Sequence, residues 1–296
     1  MELPWPPEIA GSADAAAFSQ SRSNLCLDLH GDPARARLAV FSDGNHHMAL
    51  RDTLAAFLAS HPAAEDVFFI TAPPRVAVEW IERGALRVGN LVLSVAPHVV
   101  LGPPGVLDRL IAPGRLGAHR LFARSRGNTL LVPAGNPRGV HGIADLARPD
   151  VRVFLSNPRT ETASYSIYAE TLRRLARRAG ATLGFLDRPD DPPARIVYGE
   201  CVHHREAPQA LAEGRADVAV VFRHLALRYL RIFPGVFDTV ELTSPEQDDP
   251  DNVCSPIHAG LWGDGGAWGG ALVEFLGGTD AAAIYRHHGL HAGAPA

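Results

Sequence analysis

Histidine and arginine gather at a few points of this chain, beside small polar residues. His46 and His47 follow Asn45, His203 and His204 precede Arg205, and His224 follows Arg223. Arg75 closes the segment Thr71-Ala-Pro-Pro-Arg75, and Thr162 and Ser164 open a later helical stretch. Arginine presents a fixed fork of donors suited to an oxyanion or a carboxylate. The neutral donors Asn45, Thr71, Thr162 and Ser164 would complete such a set. Histidine serves two chemistries: it donates N–H to an anion, or its lone pair ligates Zn²⁺, Cu²⁺ or Ni²⁺. Adjacent histidines on an extended loop point to opposite sides. At most one of each pair then shares a site, and His46, His203 and His204 are the candidate metal ligands. Plainer roles stand beside these, with Arg205 a solvated first-turn residue and Thr71 a strand-end cap. Cys201 beside His203 and His204 is the nearest approach to a nucleophile and base. No nucleophile–base–orienter spacing, H-E-x-x-H or C-x-x-C accompanies it. The expectation is a binding protein and not an enzyme, with no cofactor required beyond a bound oxyanion or transition-metal ion; the further alternatives are an enzyme using one of these histidines as acid or base and a cytoplasmic sensor. His287, His288 and His291 read as a helix terminus and a loose tail.

The 296 residues include no lysine, so all 28 basic side chains are arginine. Schiff-base chemistry and a P-loop lysine are thereby excluded. A net charge of -4 argues against a nucleic-acid partner, whose footprint would be basic. Cys26, Cys201 and Cys254 lie far apart and form no disulfide framework. The first residues show neither a basic n-region nor an apolar run, and no membrane span is expected. The expected location is periplasmic or extracellular if a leader has been removed, and cytoplasmic if the sequence is complete.

The positioning elements alternate between strand and helix. Leu38–Phe41 is an apolar run stopped by Ser42-Asp43-Gly44-Asn45, and His47–Ser60 follows with helical spacing. Asp66–Thr71 reads as a strand, Arg75–Arg83 as a helix closed by Gly84, and Asn90–Val95 as a third strand. A second set follows: strands at Asn128–Val132, Val151–Leu155, Ile196–Tyr198 and Ala216–Phe222, with a long helix through Ile167, Leu172 and Leu175. Val253–Leu261 and Ala271–Tyr285 read as a last strand and helix. Alternation of this kind predicts α/β lobes, each a mainly parallel sheet flanked by helices. Ligands collect beyond the C-terminal strand ends, where helix N-termini favour anions. The loops 42–47, 71–75, 156–165 and 199–205 fall there.

Several of these segments stand in a familiar order. Phe41-Ser-Asp-Gly-Asn-His46, Ile81-Glu-Arg-Gly84, Asn128-Thr-Leu-Leu-Val-Pro-Ala-Gly-Asn-Pro137, Ile143-Ala-Asp-Leu-Ala-Arg-Pro-Asp-Val-Arg-Val153, Ala216–Phe222 and Phe275–Gly289 form the series. Together they resemble the molybdate/tungstate-binding family of type II periplasmic binding proteins. The resemblance implies a two-lobed fold with a double hinge crossing: lobe 1 from 37–122 and 228–290, lobe 2 from 123–227. An N-terminal extension (1–36) and a tail (291–296) lie outside both. It implies closure on a small ligand for ABC-type transport, with a permease as partner and an oxyanion of the molybdate/tungstate type, or another small anion, as ligand. The loops depart from that family, carrying Asn45-His46-His47, Thr71–Arg75 and Cys201-Val-His203-His204-Arg205. They are closer to a subgroup of exported anion- or metal-binding proteins with a similar His-His-Arg segment.

Overall fold

A computed structural model describes residues 1–4, 28–88, 90–200, 202–244 and 247–293. In chain order the first elements are β1 (Asp28–His30), β2 (Leu38–Ser42), α1 (His47–Ser60), β3 (Val67–Thr71) and α2 (Pro74–Arg83). The short strands β4 (Leu86–Val88) and β5 (Leu91–Leu93) follow, then β6 (Val99–Gly102), α3 (Pro104–Ile111) and β7 (Leu116–Arg124). Next come β8 (Asn128–Pro133), β9 (Val153–Leu155), α4 (Thr162–Arg178), β10 (Ile196–Tyr198), α5 (His203–Ala212), β11 (Val218–Phe222), α6 (Arg223–Ile232) and β12 (Phe237–Glu241). The chain closes with β13 (Pro256–Trp262), α7 (Gly266–Leu276), α8 (Thr279–His287) and β14 (His291–Ala292).

The chain forms two compact units. One is built on Leu25–Arg124 and Pro256–Ala296, the other on Ser125–Ser255. The first holds a seven-stranded sheet of order β1-β3-β2-β6-β13-β7-β14. Strands β3, β2 and β6 are parallel neighbours, whereas β1, β13, β7 and β14 pair antiparallel. Side chains alternate across a strand, and β2 shows why its whole run is apolar. Leu38 and Val40 face a core with Leu54, Phe57, Leu272 and Tyr285. Ala39 and Phe41 face the opposite core with Trp80, Leu107 and Leu110. Both faces are covered, which is why the run Leu38–Phe41 is apolar throughout, up to the polar Ser42 at the strand end.

The Ser125–Ser255 unit holds a five-stranded sheet of order β10-β9-β11-β8-β12. Strands β10, β9 and β11 are parallel, and β8 and β12 complete it antiparallel. Each sheet is thus mixed, where mainly parallel sheets were expected. The extra strands enter from chain that runs in the opposite sense. The lobe boundary also moves. Residues 228–255, expected with the first lobe, pack in the Ser125–Ser255 unit because β12 pairs with β8 from Phe237↔Pro133 to Glu241↔Thr129. Ser125 and Ser255 are tied to each other by Ser125 N–H on the Ser255 carbonyl (2.9 Å) and Ser255 N–H on Ser125 Oγ (2.7 Å).

The extension and the tail are less loose than expected where they are described. Asp28–His30 is an edge strand on β3, and Leu3 is buried, its N–H on Gln209 Oε1 at 3.1 Å. His291–Ala292 pairs with β7. The strand expected at 90–95 is a separate two-stranded ribbon with β4, and β6 takes the third place in the parallel row. Among the described residues no helix is long and apolar enough to cross a membrane.

Candidate functional site

Each unit carries its own strand-end cluster. In the seven-stranded unit, β2 ends at Ser42 and β3 at Thr71, side by side in parallel register. The loop Asp43–His46 leads from β2 into α1. His46 is wholly buried, and both ring nitrogens are engaged: Nδ1 with Tyr285 Oη at 2.8 Å, Nε2 with Ser42 Oγ at 3.1 Å. Ser42 Oγ donates to the Asp43 carbonyl at 3.1 Å. One assignment of protons satisfies the chain: Tyr285 O–H donates to Nδ1, and Nε2–H donates to Ser42. Asp43 Oδ1 lies 3.5 Å from Nε2 and accepts the Asn45 N–H at 3.2 Å. Burial pushes the Asp43 carboxyl up to about 6, against the lowering effect of that N–H. His47 is buried with Nδ1 on the Gly44 carbonyl at 2.8 Å. Thr71 is buried too, and its Oγ1 has no hydrogen-bond partner among the described residues. Arg75 stands in the first turn of α2; its side chain lies outside the description.

In the five-stranded unit, β9 ends before Ser156 and β10 before Gly199. Asn157 Nδ2 donates to the Gly199 carbonyl at 2.9 Å, joining the two loops. Asn157 Oδ1 accepts the Arg159 N–H at 2.9 Å, and the Asn157 carbonyl accepts the Glu161 N–H at 2.9 Å. These bonds fix the turn into α4. Ser156 is wholly buried, with no hydrogen-bond partner for Oγ among the described residues. A buried hydroxyl in that state costs free energy unless something else meets it.

Glu161, the residue capping α4, reaches across to α5. Its carboxylate oxygens accept the His203 N–H at 3.0 and 3.1 Å, at the first residue of that helix. Burial pushes Glu161 up to about 7; the His203 N–H works against this, and the nearby negative charge of Glu206 adds to it.

The expected site residues divide accordingly. Ser164 is half-buried in the first turn of α4, while Thr162 is exposed and its hydroxyl donates to the Pro158 carbonyl at 3.1 Å. His203 is buried between Phe154 (ring centroids 5.5 Å apart) and Tyr168 (5.1 Å), its Nε2 on the Val220 carbonyl at 2.8 Å. Burial holds its pKa down at about 4. His204 is buried, and its backbone carbonyl accepts the Tyr229 hydroxyl. Arg205 is half-buried in the first turn of α5. Arg223 opens α6 and gives Nε to Glu241 at 3.1 Å, beside a shallow polar depression with Arg126, Asn252 and Cys254. His224 stacks on Phe222. Cys201 lies outside the described residues. Of the tail histidines, His288 is buried and held by Asp52 at 2.8 Å.

Of each pair of adjacent histidines, at most one ring was expected to face a ligand. Both His46 and His203 are buried in the packed interior, His46 held by Tyr285 and Ser42 and His203 stacked on Phe154. Among the described residues, no three His, Cys, Asp or Glu side chains are grouped to hold a metal ion. Ser42, Asp43, Ser156 and Glu161 were missed. A small polar residue directly after an apolar run was the available signal for the serines. Glu161 stands just ahead of α4, where a single acidic residue carries no signal of its own.

Comparison with known proteins bears on this geometry. The family model described as bacterial extracellular solute-binding protein matches residues 38–291. No curated protein matches the sequence. Among solved structures, the sulfate-binding protein SubI of Mycobacterium tuberculosis is similar with a TM-score of 0.64 and 16% identity, over 87% of each chain. The periplasmic molybdate-binding protein of Azotobacter vinelandii gives 0.55 and 17%, over 86% of this chain and 98% of that one. PEB3 of Campylobacter jejuni gives 0.60 and 14%, over 86% and 99%, and has also been solved with L-phospholactate bound. These likenesses show the fold, that of two-lobed type II periplasmic binding proteins.

Proposed function

The chain belongs to the bacterial extracellular solute-binding proteins, and on that premise we propose that it captures a small oxyanion for ABC-type transport outside the cytoplasm. The observation that carries this reading is the buried Ser156 hydroxyl, unmatched among the described residues, at the end of a parallel strand and ahead of α4. Strand ends of open α/β sheets are where helix N-termini present N–H groups and positive dipole ends. Thr71 repeats the arrangement in the other unit, at the end of β3 ahead of α2. Both are neutral donors of the kind that satisfies an oxyanion without a paired cation. Asn45, Ser164 and Arg205 are further candidate donors at these ends, and Arg75 follows from its place in α2. The neighbours named for molybdate, sulfate and phospholactate support the class of ligand, not its identity.

Metal capture by His46, His203 and His204 has less support. His46 has both nitrogens engaged within its own unit, and His203 has Nε2 on a backbone carbonyl. An enzymatic reading would start from Ser42, His46 and Asp43. That serine is wholly buried and its hydroxyl is spent on a carbonyl, which puts it out of a substrate's reach as a nucleophile.

The test is titration calorimetry with molybdate, tungstate, sulfate and phosphate, on the protein and on Ser156→Ala. Binding of at least one anion is expected. The variant should lose about tenfold in affinity, the worth of one hydrogen bond to an anion, while melting at the same temperature or higher. Absence of binding by every anion would refute the reading.

A further inference from the structure

The start of α5 favours negative charge, and the protein has put its own carboxylate there. Glu161 sends both oxygens to the His203 N–H, at 3.0 and 3.1 Å. Glu161 does not belong to α5: it precedes α4, and its own N–H is fixed on the Asn157 carbonyl, one residue past the unmatched Ser156 hydroxyl. A carboxylate is the side-chain likeness of an oxyanion, and two negative groups cannot share one helix terminus without strong repulsion.

We propose that Glu161 is an internal occupant of the anion seat, and that a bound oxyanion replaces it at the α5 terminus. This rests on the oxyanion reading above and deepens it. Glu161 then sets the free protein's affinity and ties capture to a proton. The groups around the carboxyl favour such coupling. Burial and Glu206 on α5 both oppose its charge, and its field in turn reaches Tyr168 on α4 and Tyr229 on α6. On α5 the His203 N–H favours the charge, and Arg228 on α6 and Arg205 on α5 are the cations near Tyr229. A carboxyl that takes up its proton close to neutrality gives up the N–H more readily than one ionised throughout. Anion affinity should therefore rise as pH falls.

The experiment measures sulfate and molybdate binding by calorimetry at pH 8.5, 7.5 and 6.5, where both anions stay fully deprotonated. The full chain is compared with Glu161→Gln and Glu161→Ala. Wild-type affinity should rise about tenfold across this range, as protonation near neutrality removes the competitor. Both variants should bind about tenfold tighter than wild type at pH 8.5, with little pH dependence. Gln keeps the shape and an acceptor for the N–H, so it decides the matter if the Ala variant does not fold. Wild-type binding with an unchanged affinity and slope in Glu161→Gln overturns the role of Glu161 and leaves the oxyanion reading standing. No binding by wild type or either variant removes both.

Discussion

Asp43 shows how one buried carboxyl can be read in two ways. It sits at the entry to α1, where negative charge is favoured, yet its nearest cationic candidate, His46, is used up between Tyr285 and Ser42. Burial dominates and lifts its pKa to about 6. The sign of the consequence follows from linkage. A carboxyl raised in the folded state is easier to protonate there than in the unfolded chain, so stability is lost as pH rises from about 4 through 6, and the full cost stands above that. A shift of about two units corresponds to roughly 1–3 kcal/mol at pH 8. Asp43→Asn keeps an acceptor for the Asn45 N–H and removes that cost. The variant should unfold at higher urea than wild type at pH 8, and the gap should shrink by pH 5. A variant less stable at pH 8 would mean that the charge is held by more than the Asn45 N–H. Neither this carboxyl nor Glu161 was legible in the sequence. Both lie beside residues that were singled out, Asn45 and Thr162, but burial of a polar side chain is decided by distant chain. For Asp43 that chain is α8, which supplies Tyr285; for Glu161 it is α5.

The helices and parallel strands were legible where apolar period and punctuation agreed. His47–Ser60 and the Gly84 stop of α2 came out as read, the latter because Gly84 adopts φ +68°, a conformation glycine takes without strain. Strands β6, β7 and β12 were not seen. The first is four residues between prolines, the second is exposed along much of its length, and the third alternates weakly. Their place is set by pairing partners far away in sequence, which periodicity does not carry. The start of β8 depends on such a partner. Asn252 accepts the Asn128 N–H at 2.7 Å and donates to the Asn128 carbonyl at 2.9 Å, closing the edge of the strand from 124 residues away. Gly127 beside it has φ +69°, and a Cβ there would stand 2.5 Å from Asn252 Cγ. Asn252→Ala strands both backbone groups, while the Asn128 side-chain amide keeps Thr171 Oγ1 and the Val253 carbonyl. A loss of about 2–3 kcal/mol is expected from urea unfolding, with Gly127→Ala falling in the same direction through displacement of Asn252. Full stability in Asn252→Ala would show that water or another side chain satisfies β8.

At the scale of the whole molecule, charge composition decides the behaviour in acid. All 28 cationic side chains other than histidine are arginine, so none loses its charge at any accessible pH. Opposing them are carboxylates that ion pairing or hydrogen bonding has lowered despite burial, among them Asp52 with His288 and Arg51, and Asp217 with Arg152 and Arg138. A lowered carboxyl contributes stability above its unfolded pKa and loses it as pH falls through the folded one. His203 adds to the loss from the other side. Burial holds its pKa down to about 4, so between pH 6.5 and pH 4 the unfolded chain takes up a proton that the folded chain refuses. That difference is worth about 3 kcal/mol at pH 4. Asp43 and Glu161 act oppositely, since their raised pKa values favour the folded state as pH falls toward 5. Their contribution saturates once the unfolded carboxyls are also protonated near pH 4. Below that point the lowered carboxylates are protonated in turn, and the repulsion among 28 arginines and 14 histidines grows. Stability should therefore hold from pH 8 to about pH 5 and collapse below about pH 4. Because the final step is repulsion between like charges, sodium chloride at about 0.3 M should move the acid midpoint to lower pH by screening it. Circular dichroism along a pH titration, with and without salt, measures both. A midpoint near pH 6, or one that salt does not move, would mean that buried histidine protonation and not charge repulsion unfolds the chain.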